Sequence, residues 1–237
     1  MVSLHKTAVI IPAYNEEQSI GRVVNDIPRD LVSKVIVVDN GSSDETARRA
    51  IESGAEVISE PRRGYGNACL AGLDNLPEET NTVVFMDGDY SDYPGEIRDL
   101  LKALGEQKAD LVIGSRVLGH PEMGSLTLQQ RFGNWFSTQV IHWVFGFAYT
   151  DLGPFRAIRR EALNQIQMQD RNFGWTVEMQ IKALQHGLKV VEIPVSYRKR
   201  IGKSKVSGTV AGTIKAGVKI LWTIGKLIMQ NPSPRGQ

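Results

Sequence analysis

Apolar positions along the first half of the chain follow two alternating periods. Residues 8–11, 34–38, 56–58, 82–86 and 110–113 are short, β-branched and nearly continuous apolar runs, the pattern of strands covered on both faces of a parallel sheet. Between them the spacing becomes helical. Ser42-Ser43-Asp44-Glu45 has capping-box spacing and predicts a helix running to about Ser53, ended by Gly54. Pro94 and Glu96 mark another helix start, with Ile97, Leu100, Leu101 and Leu104 on one stripe. Strands alternating with helices imply βαβ units and right-handed crossovers, hence a Rossmann-like, mostly parallel α/β sheet flanked by helices.

After Arg116 the rhythm breaks. Residues 117–130 are rich in Gly, Pro and polar side chains and predict a mobile loop, whereas residues 131–147 predict a helix loaded with Phe132, Trp135, Phe136, Trp143, Phe145 and Phe147. Residues 155–158 and 189–195 read as strands, and residues 175–186 as a helix closed by Gly187. Residues 207 to about 230 form an amphipathic pattern. Lys215, Lys219 and Lys226 share one face, opposite Val210, Ile214, Val218, Leu221 and Ile228. No repeat or low-complexity linker interrupts the chain. The expected organisation is one α/β domain over residues 1–206, with a helical tail over 207–237 belonging to the same unit.

Composition narrows the function classes. The 28 Lys and Arg against 26 Asp and Glu leave a net charge of +2, too balanced for a dedicated nucleic-acid binder. A single cysteine, Cys69, excludes an internal disulfide and a Cys-rich zinc site, and a reducing compartment is the expectation. The apolar run before Pro12 is too short for a signal peptide, and the uncharged stretch 132–150 is interrupted by Gly133, Asn134, Ser137, Gln139, His142 and Gly146, so it fails as a membrane span. The four histidines are scattered without metal-ligand spacing and read as structural.

In open α/β sheets ligands bind beyond the carboxyl ends of the strands, and three such ends carry acids: Glu16-Glu17 after the first strand, Asp39 after the second, Asp87-Gly88-Asp89 after the fourth. Any one could be a cap or a turn former. Convergence of three on one edge favours a site. Two carboxylates flanking a glycine can both approach a hard divalent cation. Residues 62–68 (RRGYGNA) contain GxG but lack the third glycine of a dinucleotide fingerprint, which argues against NAD. A Gly-rich turn before a helix still presents backbone N–H groups, Gly66 among them, to a nucleotide.

The motifs PAYNEE, VVDNGSSDET, RRGYGNA, FMDGDYSDYP and VIGSR, in this order and at these intervals, resemble inverting glycosyltransferases of family 2 with the GT-A fold. TDLGPFRAI, GWTVEM and RKRIGKSK look most like the dolichyl- or polyprenyl-phosphate sugar synthase branch. The resemblance implies that Pro12, Ala13, Tyr14 and Glu16 meet the ribose and base of a nucleotide sugar, with Asp39 helping to hold the base. It implies that Asp87 and Asp89 bind Mg²⁺ or Mn²⁺ and the diphosphate; Ser91 stands where many branch members carry a Gln ligand, leaving Asp92 as a substitute. It further implies that Arg116 and Arg131 hold the acceptor phosphate, and that Arg200, Ser204 and Lys205 form a basic loop over the donor diphosphate. Arg198 and Lys199 read as a solvated basic face.

Asp151 and Glu178 stand where relatives with hydroxyl acceptors place a general base, or else they position the sugar or a basic residue. The expected activity is transfer of a hexose from a UDP-glucose- or GDP-mannose-type donor to a polyprenyl phosphate, by a protein resting peripherally on the cytoplasmic face of a membrane and binding no nucleic acid. Alternatives are a soluble or polysaccharide hydroxyl acceptor, a sugar-1-phosphate nucleotidyltransferase, and a non-catalytic nucleotide-sugar binder.

Overall fold

The computed structural model describes residues 6–202 and 210–230, the latter with side chains from Gly217 onward. Seven strands, β1 (Thr7–Ala13), β2 (Lys34–Asp39), β3 (Glu56–Ser59), β4 (Thr82–Phe85), β5 (Leu111–Ser115), β6 (Arg156–Arg159) and β7 (Val190–Pro194), form one sheet in the order β3-β2-β1-β4-β6-β5-β7. Only β6 runs against its neighbours β4 and β5; the other pairings are parallel. The apolar runs are therefore strands, each within two residues of the expected ends. Helices cover both faces: α1 (Ile20–Asp26), α2 (Thr46–Glu52) and α4 (Ile97–Glu106) on one side, with α3 (Tyr65–Asp74), α5 (Leu128–Phe145), α6 (Arg160–Ile166), α7 (Trp175–Gln185) and α8 (Val210–Gln230) on the other. Each face buries its own core: Ile10, Val38, Phe85 and Trp175 on one, Ile11, Val37, Met86 and Leu100 on the other.

Strand order places β1 between β2 and β4, so the chain runs outward from β1 through β2 to β3 and then crosses back to β4 on the other side of β1. That reversal opens a crevice beyond the strands' carboxyl ends. The register pairs Ala13 with Asp39 and Ile10 with Phe85, bringing the loops after β1, β2 and β4 to one edge.

Two expectations about helix ends change. The Ser42–Glu45 segment does not form the capping box; α2 begins at Thr46, where Glu45 makes no side-chain cap and Thr46 N donates instead to Asp44 Oδ1 at 3.0 Å. Other polar groups here serve the neighbouring loop. Asn15 N donates to Ser42 Oγ (2.9 Å) and Glu16 N to Thr46 Oγ1 (2.8 Å), while Ser42 N donates locally to Asp39 Oδ1 (2.9 Å), so tertiary hydrogen bonds take up groups that the local motif would use. The capping box forms at Thr127 and Gln130 (2.9 and 3.2 Å). It starts α5 three residues earlier than Arg131, taking the end of the expected loop into the helix.

In α8 the buried side is Thr223, Ile224 and Leu227. Of the expected apolar face, Val218 and Leu221 are exposed together with Trp222 and Met229. Lys215, Ile214 and Val210 lie outside the described side chains. Apolar residues thus occupy two sides of α8: one packs on α5 and α7, the other faces outward. No helix among the described residues is long and apolar enough to cross a membrane.

Candidate active site

A cleft of about 540 Å³ opens at the switch point, lined by Pro12, Ala13, Tyr14 and Glu16 from the β1 loop, Asn40 after β2, Asp87 to Asp89 after β4, and Arg200. The start of α3 and residues Asn172 and Phe173 close its far side. The three acidic strand ends do converge, with one change at β2. Asp39 turns its carboxylate to Ser42 N and orders the loop, while its neighbour Asn40 lines the cleft and bonds Glu60 O, Arg62 O and Gly64 N, each at 2.8 Å.

Gly66 is a packing residue. A Cβ there would collide with Asp170 O, and one on Gly64 with Arg171 O. The turn before α3 therefore needs glycine so that the 170–171 backbone can lie on it, and it is Gly64 and Tyr65 that reach the cleft. Sequence reasoning missed Arg63, whose guanidinium stacks 3.6 Å from the Tyr14 ring centroid at the cleft wall. Arg62, by contrast, pairs with Glu60 and is largely solvated. The double arginine before the Gly-rich turn was the available signal.

Electrostatically the cleft holds an excess of buried acid. Burial and the neighbouring Asp89 charge raise the Asp87 carboxyl to about 7. Asp87 Oδ1 and Asp92 Oδ1 are buried without a hydrogen-bond partner among the described residues. Asp92, fully buried, is also shifted upward by burial and by Asp87 and Asp89, and its Oδ2 accepts Asp87 N at 3.3 Å. Asp89 Oδ1 accepts from Ser91 N (2.9 Å), while its Oδ2 lies 3.1 Å from Arg200 Nη1. Arg200 Nη2 reaches Glu16 Oε1 at 2.8 Å, so one guanidinium bridges two walls.

An unpartnered buried carboxylate oxygen and hard oxygen donors fit a divalent cation. No group of three His, Cys, Asp or Glu side chains among the described residues is placed to hold one. That agrees with Mg²⁺-type sites, in which one or two carboxylates are completed by substrate phosphates and water. Ser91 is engaged with Asp89, and Asp92 accepts from Asp87 N.

The basic run is integrated into this acid loop. Arg198 is not a solvated face: it stacks on Tyr90 and Tyr93 at 3.3 and 4.2 Å and donates to Tyr90 O and Asp92 O. Ile201 N bonds Asp89 O at 2.9 Å, which sets Arg200 over the carboxylates. Lys199 does stay at the surface beside Glu122. Ser204 and Lys205 lie outside the described residues.

Arg116 and Arg131 line a second cavity, of about 740 Å³, with Met123, Leu126, Trp135 and residues 148–151. Asp151, 1% exposed, grips Arg116: Oδ2 accepts from N (2.8 Å) and Nε (2.7 Å), Oδ1 from Nη2 (2.6 Å). Burial alone would lower the pKa of Arg116, but the charge and hydrogen bonds of Asp151 more than offset it. The Arg116 charge also acts on Asp87 and Asp92, linking the two cavities. Buried Arg156 on β6 bonds the carbonyls of Leu152, Gly153 and Thr176 and fixes the Asp151 loop from beneath.

Glu178, also buried, accepts from Gln169 N (3.0 Å) and Asp170 N (2.7 Å) and pairs with Lys182 at 2.8 Å. Both acids therefore hold protein groups, and Asp151 also lines the second cavity. The aromatic stripe divides. Phe132, Trp135, Phe136 and Trp143 are exposed, whereas Phe145 and Phe147 pack on the core.

A mostly parallel seven-stranded sheet with its acids gathered at this switch point is the GT-A architecture of nucleotide-sugar glycosyltransferases. Residues 8–167 match the domain described as glycosyl transferase family 2, and the chain belongs to that family. It is 38% identical over 213 residues to an uncharacterized glycosyltransferase of Mycobacterium tuberculosis, covering 88% of this chain and 93% of that one. It is 34% identical over 208 residues to a dolichyl-phosphate hexose transferase of Haloferax volcanii, covering 86% and 88% respectively. Glucosyl-3-phosphoglycerate synthase from Mycobacterium tuberculosis, solved with Mn²⁺, UDP-glucose and phosphoglyceric acid, shares the fold with a TM-score of 0.77 and 22% identity, over 94% of this chain and 79% of that one.

Proposed function

We propose that this enzyme is a metal-dependent inverting hexosyltransferase that transfers a hexose from a UDP-glucose- or GDP-mannose-type donor to a polyprenyl or dolichyl phosphate. The observation that carries the reading is a pair of cavities of opposite character, an acidic, nucleotide-sized cleft and an arginine-lined one with an apolar rim, with the charge of Arg116 in the second acting on Asp87 in the first. The named activity of the Haloferax relative supports the acceptor, and the UDP-glucose complex of the structural neighbour supports the donor class.

In this reading Pro12, Ala13, Tyr14, Glu16, Asn40 and Arg63 receive the nucleoside, with Asp39 ordering the loop beside it. Asp87 and Asp89 would hold Mg²⁺ or Mn²⁺, whose charge would offset that of the leaving diphosphate. When donor enters, the Arg200 guanidinium turns from Glu16 and Asp89 to the diphosphate, joined by Lys205. Arg116 and Arg131 orient the acceptor phosphate oxygen toward the anomeric carbon, on the side opposite the leaving group. Guanidinium forks suit phosphate geometrically, and positioning with charge neutralisation supplies the rate.

A phosphate monoester needs no general base, since its second pKa of about 6 leaves it largely anionic at neutral pH. The engagement of Asp151 and Glu178 by protein groups supports that economy and disfavours a hydroxyl acceptor. Residues 1–206 form the catalytic unit and 207–237 its C-terminal helix and tail. The exposed aromatics of α5 and the outward apolar side of α8, with Lys219 and Lys226 at 4.5 and 5.6 Å from the Trp222 ring, rest on the membrane face where the lipid lies.

Asp89→Ala tests the reading. Loss of Mn²⁺-dependent nucleoside diphosphate release from the donor is expected; undiminished release contradicts it.

A further inference from the structure

We propose that Lys219 of α8 is a positioning residue for the donor cleft, acting through Asp170 on the 169–174 loop, so that the C-terminal helix forms part of the donor site. The proposal rests on the cleft being the nucleotide site.

The 169–174 loop supplies Asn172 and Phe173 to the cleft wall. Its backbone lies on Gly64 and Gly66, where side chains would collide with Arg171 O and Asp170 O, and Arg171 O accepts from Asn67 N at 3.1 Å. The loop therefore also sets the start of α3, whose Tyr65 lies beside Asp87.

Two buried carboxylates hold the loop. Glu178 accepts from Gln169 N and Asp170 N and ties its entry to α7. The second anchor is Asp170 itself, with a side chain only 6% exposed. Its Oδ1 accepts from Asn172 N (2.7 Å) and Gly174 N (3.1 Å), which folds the loop around it. Its Oδ2 lies 2.8 Å from Lys219 Nζ and 3.5 Å from Thr223 Oγ1. Gly174 is required here because a Cβ would press on both Asp170 and Thr223.

An acid this buried is stable as an anion only with its counter-charge, and Lys219 is the cation that the salt bridges of the described residues assign to it. Removing that ammonium leaves the Asp170 carboxylate buried without its counter-charge, which favours turning it toward water and releasing the amides of Asn172 and Gly174. That loosens a cleft wall lying roughly 80 residues along the chain from Asp87 and Asp89. The sequence pattern hid this role, because Lys219 shares its face with Lys215 and Lys226 and reads there as a surface charge.

The test uses the full-length protein as wild type, Lys219→Met, Lys219→Gln and Lys219→Arg. Hydrogen exchange without ligand should be about tenfold faster at the amides of Asn172 and Gly174 in Lys219→Met and Lys219→Gln, with β1 and β4 amides unchanged, and near wild type in Lys219→Arg. Titration with UDP and with GDP, each with Mn²⁺, should show binding weakened about tenfold in Lys219→Met and Lys219→Gln and restored in Lys219→Arg. Unchanged exchange at the two amides overturns the proposal, as does nucleotide binding by Lys219→Met and Lys219→Gln equal to wild type. Failure of the wild type to bind either nucleotide instead refutes the reading of the cleft, and the exchange data still decide whether Lys219 positions the loop.

Discussion

Replacing Asp151 with Asn separates a positioning acid from a proton acceptor. The substitution keeps the shape of the side chain and one carbonyl oxygen, but it removes the charge and turns an NH₂ donor toward a guanidinium that has only donors to offer. Three hydrogen bonds to Arg116 depend on the carboxylate, at 2.6 to 2.8 Å. The loop backbone is held separately: Glu192 accepts from Thr150 N and Asp151 N, and Gln180 donates to Asp151 O. The perturbation therefore falls on Arg116.

Stripping one partner from a buried pair costs about 3–5 kcal/mol, and the 15% exposure of Arg116 lets water in and favours the lower end. At about 2–4 °C per kcal/mol for a chain of this size, a fall in melting temperature of about 6–12 °C is expected by circular dichroism. KM for the lipid phosphate should rise, because Arg116 no longer points reliably into the second cavity. A variant that melts within about 2 °C of wild type yet loses kcat with KM unchanged would refute the reasoning and restore Asp151 as the base.

Three further outcomes follow from the same geometry. Glu178→Gln, which leaves acceptor oxygen for the 169–170 amides but breaks the Lys182 pair, should lower stability by about 1–3 kcal/mol with transfer retained in the folded fraction, as measured by denaturant unfolding and product formation. Gly66→Ala should destabilise by more than the about 1–3 kcal/mol of ordinary overpacking, because the collision is with backbone, and should weaken nucleoside diphosphate binding in titration calorimetry. Changing the exposed Trp135 and Trp143 to Ser should reduce sedimentation with anionic-lipid vesicles by about tenfold or more while leaving nucleotide binding intact; unchanged sedimentation would remove α5 from the membrane contact.

The sheet was legible because strands buried on both faces leave continuous apolar runs, and the acids were legible because they sit where those runs stop. Sheet order was not. The antiparallel insertion of β6 depends on pairings between residues such as Phe85 and Arg156 that no local pattern encodes. Local motifs misled where tertiary partners competed for the same polar groups, as at Ser42, whose hydroxyl serves Asn15.

In the site, residues next to strand ends were found, and Arg200 was found through its basic motif, but others delivered from a distance were missed. Asn172 and Phe173 arrive on a loop anchored by α7 and α8, and Arg63 stacks on Tyr14 across a turn. Lys219 reads as a surface charge in one dimension and is a half-buried partner in three, while Asp151 and Glu178, read as a base or as groups positioning the sugar or a basic residue, pair with Arg116 and Lys182.

The most direct measurement incubates the protein with Mn²⁺ or Mg²⁺, a short polyprenyl phosphate and each of a set of UDP- and GDP-hexoses, and identifies the lipid product by mass and anomeric configuration. A polyprenyl phosphate carrying one hexose, inverted relative to the donor and absent with Asp89→Ala, is the expected result. No glycolipid from any donor, or a product formed equally well without metal or with Asp89→Ala, would contradict the assignment.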